Sequence, residues 1–368
     1  MNDKYKINDE REYSSFTKET FSGYKKLDVI NTLLKSLEAN KIENACNWIT
    51  ECIVSGYSLQ VWEKLYCFSF KVVSINNPKL PQYMYKKHVI LHNQMNHLKS
   101  FKKEANIIIR NSQMIRNLFF DVITTISTSL KKKRYDTLPK INVKDDFNFD
   151  KVRAKLLSQM NILPDKLIHD DDPAELRIIL NEIFTMCKNK DFGYDKCCYW
   201  ILWLLKWEAI HKKNKDKLVI GQRNIQGVSP KHGCDLIWPL WIIVFEEVSN
   251  RSNIMLKNQV SCLFQLFKSE YSPGKRKARL PLIFCAFAYL TNSIDYNLPI
   301  RRSYQIYIQS QSNVNLMFCK KKSHEKKSIV PKKEKQILPK NKKIKIEEIE
   351  IIQDKLSIFN EIDSLFTS

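Results

Sequence analysis

The chain has 368 residues, 43% hydrophobic and 11% aromatic, and carries a formal net charge of +22 at pH 7. That length holds two domains and a sizeable core, and that apolar share excludes disorder over most of it. Only 7 residues are glycine, too few for sandwiches, barrels and phosphate-cradling folds, which spend glycine on turns and close approaches.

The charge points to an anionic partner, nucleic acid first. Lysines outnumber arginines 49 to 12 and the chain is rich in Asn and Ile, a bias that an AT-rich coding sequence writes on any surface. The ten cysteines are scattered and no Cys-x-x-Cys occurs. Reduced, buried thiols in a non-secreted protein are therefore expected. The polar start Met1-Asn2-Asp3-Lys4 has no signal-peptide character, and no uncharged apolar run reaches about eighteen residues, so no membrane span is expected.

In chain order, residues 1–24 are polar and mixed in charge, which predicts a loose arm. Leu27, Ile30, Leu33, Leu34 and Leu37 recur at helical spacing. A second helix follows with Ile42, Ala45, Trp48, Ile49, Cys52 and Ile53 on one face, closed by Gly56 as a left-handed cap. Ser58 is placed to cap a third helix carrying Leu59, Trp62, Leu65 and Phe68. Pro78 and Pro81 punctuate its end and open a fourth. Apolar periodicity resumes from Ile107 to Leu130 and closes a first helical domain over 25–130. Residues 131–150 are polar and helix-poor and read as a linker.

A second, aromatic-rich helical domain is expected over 151–318. Its first helix lies near Val152–Met160, and Asp172-Pro173 with Glu175 starts another that ends near Asn189. Residues 194–210 carry Tyr194, Tyr199, Trp200, Trp203, Leu204 and Trp207. Helices over 234–249, kinked by Pro239, and over 253–270 come next. A basic loop over 272–277 then leads into an apolar segment from Leu282 to Leu290. Residues 319–345 form a Lys-rich tail, with twelve lysines and two glutamates over 320–345, and 346–368 an amphipathic C-terminal helix. The fold class is all-α, a multi-helix bundle of two subdomains with a basic tail.

No catalytic motif is present. There is no G-x-x-x-x-G-K-[ST] loop. Asp170-Asp171-Asp172 precedes Pro173 and suits a helix dipole better than a cation. His88 and His92 have the spacing of a zinc pair, but Val89-Ile90-Leu91 lie between them and no third ligand is identifiable, so neither metal nor cofactor is expected. Cys197 and Cys198 point about 100° apart on a helix and read as packing. Trp200, Trp203 and Trp207 could stack bases, but their apolar surroundings favour core. The candidate nucleic-acid contacts are Lys131, Lys132, Lys133 and Arg134; Lys275, Arg276, Lys277 and Arg279; and, in the tail, Lys320, Lys321, Lys322, Lys332, Lys333, Lys342 and Lys343. Ile349, Ile352, Leu356, Phe359 and Phe366 form one apolar stripe among acidic residues, the pattern of a helix that folds into a partner's groove.

Two resemblances bear on function. Lys35-Ser36, Ala45-x-x-Trp48, Ser55-Gly56 and Asn77-Pro78 fall where the C-terminal helical, collar-like domain of the RarA/MgsA and Werner-helicase-interacting group has comparable residues. Those proteins are clamp-loader-related ATPases; their ATPase module and Arg-Gly-Ser-Asp link have no counterpart here, and the likeness covers about one seventh of the chain. Asn77-Pro78-Lys79-Leu80-Pro81 together with Tyr199-Trp200-Ile201-Leu202-Trp203 resembles an uncharacterised helical family of large nucleocytoplasmic DNA viruses. The first resemblance implies helical assembly and the second supplies no activity; the collar-like segment, the basic balance and the absence of a catalytic constellation together lead to the expectation of a non-enzymatic accessory protein of viral DNA replication or transcription. Such a protein would bind nucleic acid and a protein partner, the latter through the C-terminal helix or the first helical domain, in the host cytoplasm or nucleus. The alternative is a virion or assembly protein whose basic tail meets packaged genome.

Overall fold

A computed structural model describes residues 3–132, 137–189, 193–216 and 218–326. Among them the secondary structure is helical, with no strand. The first three helices follow the apolar spacing closely. Helix α1 (Lys26–Glu38) buries Val29, Ile30, Leu33 and Leu37, although Leu27 stays exposed. Helix α2 (Ile42–Val54) buries Ala45, Ile49, Cys52 and Ile53, and the chain turns at Gly56 with φ +77°. A side chain there would press within 3.1 Å of the Asn106 carbonyl, so glycine is required by both conformation and space.

Helix α3 (Ser58–Val72) corrects the expected cap. Ser58 is the first helical residue, its hydroxyl is buried without a hydrogen-bond partner, and Tyr57 occupies the cap position. The Tyr57 hydroxyl instead donates to the Glu19 carbonyl at 3.0 Å. Helix α4 (Leu80–His97) carries Pro81 in its first turn, where a missing N–H costs nothing. The apolar stretch from Ile107 is divided into a short α5 (Ala105–Ile108) and α6 (Gln113–Thr128), because Ser112 turns extended and accepts the Ile115 N–H to start α6 afresh.

Around the expected linker, Asn142 and Asn148 cap two short helices, α7 (Val143–Asp146) and α8 (Phe149–Lys155). Helices α9 (Ala174–Lys188), α10 (Gly193–Asn214), α11 (Ile237–Asn250) and α12 (Ile254–Lys268) follow. Pro239 is the third residue of α11, within the turn whose amides have no intrahelical acceptor, so α11 runs on uninterrupted. The expected basic loop is helical: α13 (Pro273–Thr291) begins nine residues before Leu282 and contains Pro281. Helices α14 (Tyr304–Ser312, capped by Ser303) and α15 (Val314–Lys321) carry weak apolar periodicity and are legible only in the structure.

Helices from both sides of 131–150 pack on one another. Helix α4 lies on α12 and α3 on α13, while α9, α10, α11 and α12 also surround α13. Helix α14 packs on α6 and α15 on α2. Residues through Lys326 form one compact unit.

Both expected termini need correction. The arm before residue 25 is not loose: Ile7, Phe16 and Phe21 are buried, and the Ile7 backbone exchanges two 2.9 Å hydrogen bonds with the Asn111 side chain. Three large apolar side chains suffice to dock an otherwise polar segment. The tail does not begin at 319 either. Helix α15 continues through Lys321, whose ammonium meets the wholly buried Glu51 carboxylate on α2 at 2.8 Å. Residues 327–345 of the expected tail and the amphipathic segment 346–368 lie outside the described residues.

Glu51 ties three parts of the chain together, accepting also from the Ser22 N–H (2.7 Å) and hydroxyl (2.8 Å). Burial works against its charge, but Lys321 together with hydrogen bonds from Thr20 and Ser22 outweighs burial and holds its carboxyl below the usual range. Removing one partner of a buried pair strands the other, so Glu51→Ala is expected to lose about 3–5 kcal/mol in denaturant unfolding. A loss below about 1 kcal/mol, the range of exposed pairs, would show that the pair is solvated.

Candidate nucleic-acid interface

The first turn of α13 carries Lys275, Arg276 and Lys277 and no acidic residue. Cations there oppose the positive end of the helix dipole. The surrounding helices answer with carboxylates. Arg276 forks onto Glu208 of α10, with one bond at 2.9 Å, and reaches Asp235 at 2.6 Å. Burial disfavours the Arg276 charge, yet Glu208 and Asp235 outweigh it and raise its pKa. Arg279 is buried and donates to Glu63 of α3 (2.8 Å) and to the carbonyls of Phe267 (2.6 Å) and Ser269 (2.7 Å). Lys275 lies between Glu270 (3.6 Å) and Glu63 (3.9 Å). Of these four candidates Lys277 alone is fully exposed.

The other runs divide in the same way. The Lys131 ammonium donates to the carbonyls of Ser127 (2.9 Å) and Ser129 (3.3 Å) at the end of α6. Burial pulls its pKa down to about 8, against the opposing pull of Glu38. Lys132 is exposed, and its backbone N–H bonds the Val72 carbonyl at 2.8 Å. Lys320 is exposed, Lys321 is paired with Glu51, and Lys322 donates to the Lys4 carbonyl at 3.2 Å. Lys133, Arg134, Lys332, Lys333, Lys342 and Lys343 lie outside the described residues, as do Ile349, Ile352, Leu356, Phe359 and Phe366.

The structure adds cations that the sequence reading passed over. Lys212 and Lys213 end α10 on the turn after Glu208, and Lys215 follows at φ +61°; all three are exposed. Lys64 stands exposed on α3 beside Glu63, the partner of Arg279. The Arg276–Glu208 and Arg279–Glu63 links thus tie the start of α13, which carries Lys277, to the stretches of α10 and α3 that precede Lys212 and Lys64. The signal in the sequence was Lys-Lys-x-Lys closing an aromatic helix.

The remaining candidates are structural. The His88 Nδ1 accepts the Trp62 indole N–H at 3.0 Å, which leaves the proton on Nε2, 3.2 Å from the Ser269 hydroxyl. His92 lies against it with ring centroids 4.1 Å apart. Among the described residues no three His, Cys, Asp or Glu side chains are grouped as a metal ion requires. Asp172 does not cap α9; its carboxylate accepts from the His169 and Gly221 amides (2.9 and 3.0 Å) and from Arg223. Cys197 and Cys198 are buried, and burial pushes both thiols up. Trp200, Trp203 and Trp207 are buried, Trp203 stacking on Phe147 at 4.7 Å and donating to the Asp146 carbonyl at 2.6 Å.

Compared with known proteins, the chain matches no family model, no curated protein and no solved structure.

Burial, reinforced by His92, drives the His88 pKa down to about 3. The unfolded chain protonates this ring near pH 6.5, so stability is lost as pH falls from about 6.5 toward 3. Between pH 6.5 and 4.5, where carboxylates contribute little, the loss through His88 is expected to be about 2 kcal/mol. His88→Gln should flatten that slope in urea titrations; an unchanged slope would assign the proton uptake elsewhere.

Proposed function

We propose that this protein is a non-enzymatic helical scaffold that binds nucleic acid through its folded body and presents a protein-binding segment. In line with the two resemblances, we place it as an accessory factor of viral DNA replication or transcription in the host cytoplasm or nucleus. The observation that carries the nucleic-acid reading is where the charge resides. The unit through Lys326 holds 52 of the 61 lysines and arginines and 32 of the 39 acidic residues, a net of +20. Residues 327–368 hold 9 lysines and 7 acidic residues and are nearly balanced. A body so charged attracts a polyanion whether or not the tail is present.

The exposed lysines Lys212, Lys213, Lys215, Lys277 and Lys64 supply a contact surface supported from beneath by the Arg276 and Arg279 pairs. Backbone contacts of this kind position a strand without reading its bases. No helix among the described residues is long and apolar enough to cross a membrane.

The test is fluorescence anisotropy with 20-nucleotide single- and double-stranded probes across a salt series. Binding should weaken linearly on a log–log plot with salt. Lys212→Glu, Lys213→Glu and Lys277→Glu combined should reduce the slope by about 3 on duplex, near one per lost phosphate contact. Salt-insensitive binding, or none at 50 mM salt, would overturn the nucleic-acid reading. An unchanged slope would move the contact surface to another face.

A further inference from the structure

Residues of α11, α12 and the 224–228 turn line an open cleft of about 330 Å³, at the end of α12 whose Phe267 and Ser269 carbonyls hold Arg279. That volume is at the lower end of small-ligand sites, roughly 300–1,000 Å³. Phe245 and Phe264 form one wall, edge to face, with centroids 5.0 Å apart. Phe264 is held from behind by Trp241 at 5.2 Å and Trp238 at 6.4 Å, so the wall is set by the core. Asn224, Gln226 and Gln265 also line the cleft, and their side-chain amides make no protein hydrogen bond among the described residues. Gly227, at φ +81°, turns the chain so that the Gln226 carbonyl receives the Lys268 ammonium at 2.8 Å. That ammonium lies 5.4 Å from the centre of the Phe264 ring and keeps two further protons to donate.

Aromatic carbon, unpaired amides and a fixed ammonium in one small cleft match the parts of a nucleotide. A base presents a flat face to stack, an edge alternating donors and acceptors that Asn and Gln amides pair with, and a phosphate for lysine. The register of α12 extends the match. Lys257 is exposed, four residues before Ser261 and eleven before Lys268, so it stands on the same side of the helix about 16 Å away. Two cations that far apart along one face, with an aromatic and amide cleft between them, fit a short single-stranded segment running along α12.

We propose that this cleft binds a nucleobase, with the attached phosphate held by Lys268. The inference rests on the nucleic-acid reading for the source of the base, and adds recognition of bases to contact with phosphates. The base comes either from a single strand or from a free nucleotide. The Lys212–Lys215 and Lys277 surface is not needed for it.

The test compares an eight-nucleotide oligothymidylate with an abasic oligomer of equal length, by anisotropy, on the full chain. A set of mononucleotides (AMP, CMP, UMP and dTMP) is titrated against tryptophan fluorescence, since Trp238 and Trp241 back the cleft. The base-containing oligomer should bind roughly 5- to 150-fold tighter than the abasic one, the range of one stacked base. Phe264→Leu should erase that preference, and so should Gln265→Ala combined with Asn224→Ala, which touches only exposed or half-buried amides. Neither change should alter the abasic affinity. Saturable fluorescence change with mononucleotides, lost in the same variants, identifies a free nucleotide as a ligand of the site. Equal affinity for the two oligomers with no mononucleotide response overturns the base site and leaves phosphate binding standing. No binding of either oligomer and no mononucleotide response overturns the base site, and the nucleic-acid reading falls with it if the 20-nucleotide probes fail to bind as well.

Discussion

Burial of the second half of α13 on every side is the constraint on which the rest of the fold depends. Pro281 through Thr291 are buried without exception, under α3, α9, α10, α11 and α12. A helix surrounded this way has no polar face, and its sequence is apolar all round where most of the others are two-sided. Its ends are fastened to different neighbours. Arg276 and Arg279 fix the start to α10 and α3. The Tyr289 hydroxyl donates to the Pro78 carbonyl at 2.8 Å, and Arg251, just past the end of α11, donates to the Leu290 carbonyl at 2.6 Å. Pro281 removes one amide from this helix, and the carbonyl it releases belongs to Lys277, at the exposed end where water can meet it.

The distribution of charge follows from this core. Cations facing inward near α13 would be costly under so much apolar cover, and these are matched by carboxylates or by carbonyl oxygens. Glu51 and Lys321 repeat the pattern on the other side of the body. A basic run in this sequence is therefore divided by the fold: members facing inward become ties, and members facing outward remain for a polyanion. Lys275 to Arg279 shows both outcomes within five residues.

The sequence was legible where one periodicity decides the matter. Helices α1 to α4, the Gly56 turn and the tryptophan seam of α10 follow directly from apolar spacing and stop signals. It was illegible where tertiary contact overrides local character. The first turn of α13 reads as a basic loop because its stabilising carboxylates lie on α3, on α10 and at Asp235. The N-terminal arm reads as loose because Ile7, Phe16 and Phe21 are too sparse to form a periodic pattern. Asp172 reads as a cap because Arg223, its partner, is 51 residues away. Helices α14 and α15 carry apolar residues without the one-sided spacing that would announce a helix. The cleft beside Phe264 has no linear signature, since α11, α12 and the 224–228 turn meet only in the folded chain.

Native-state hydrogen exchange tests the place of α13 most directly. If this helix is the element on which the others rest, the amides of Ile283 to Leu290 exchange only through global unfolding, with opening free energies equal to the denaturant value. Peripheral helices such as α8 and α14 open well below that limit. Exchange of α13 through a local opening, while α3 and α12 stay protected at the global value, would contradict the account.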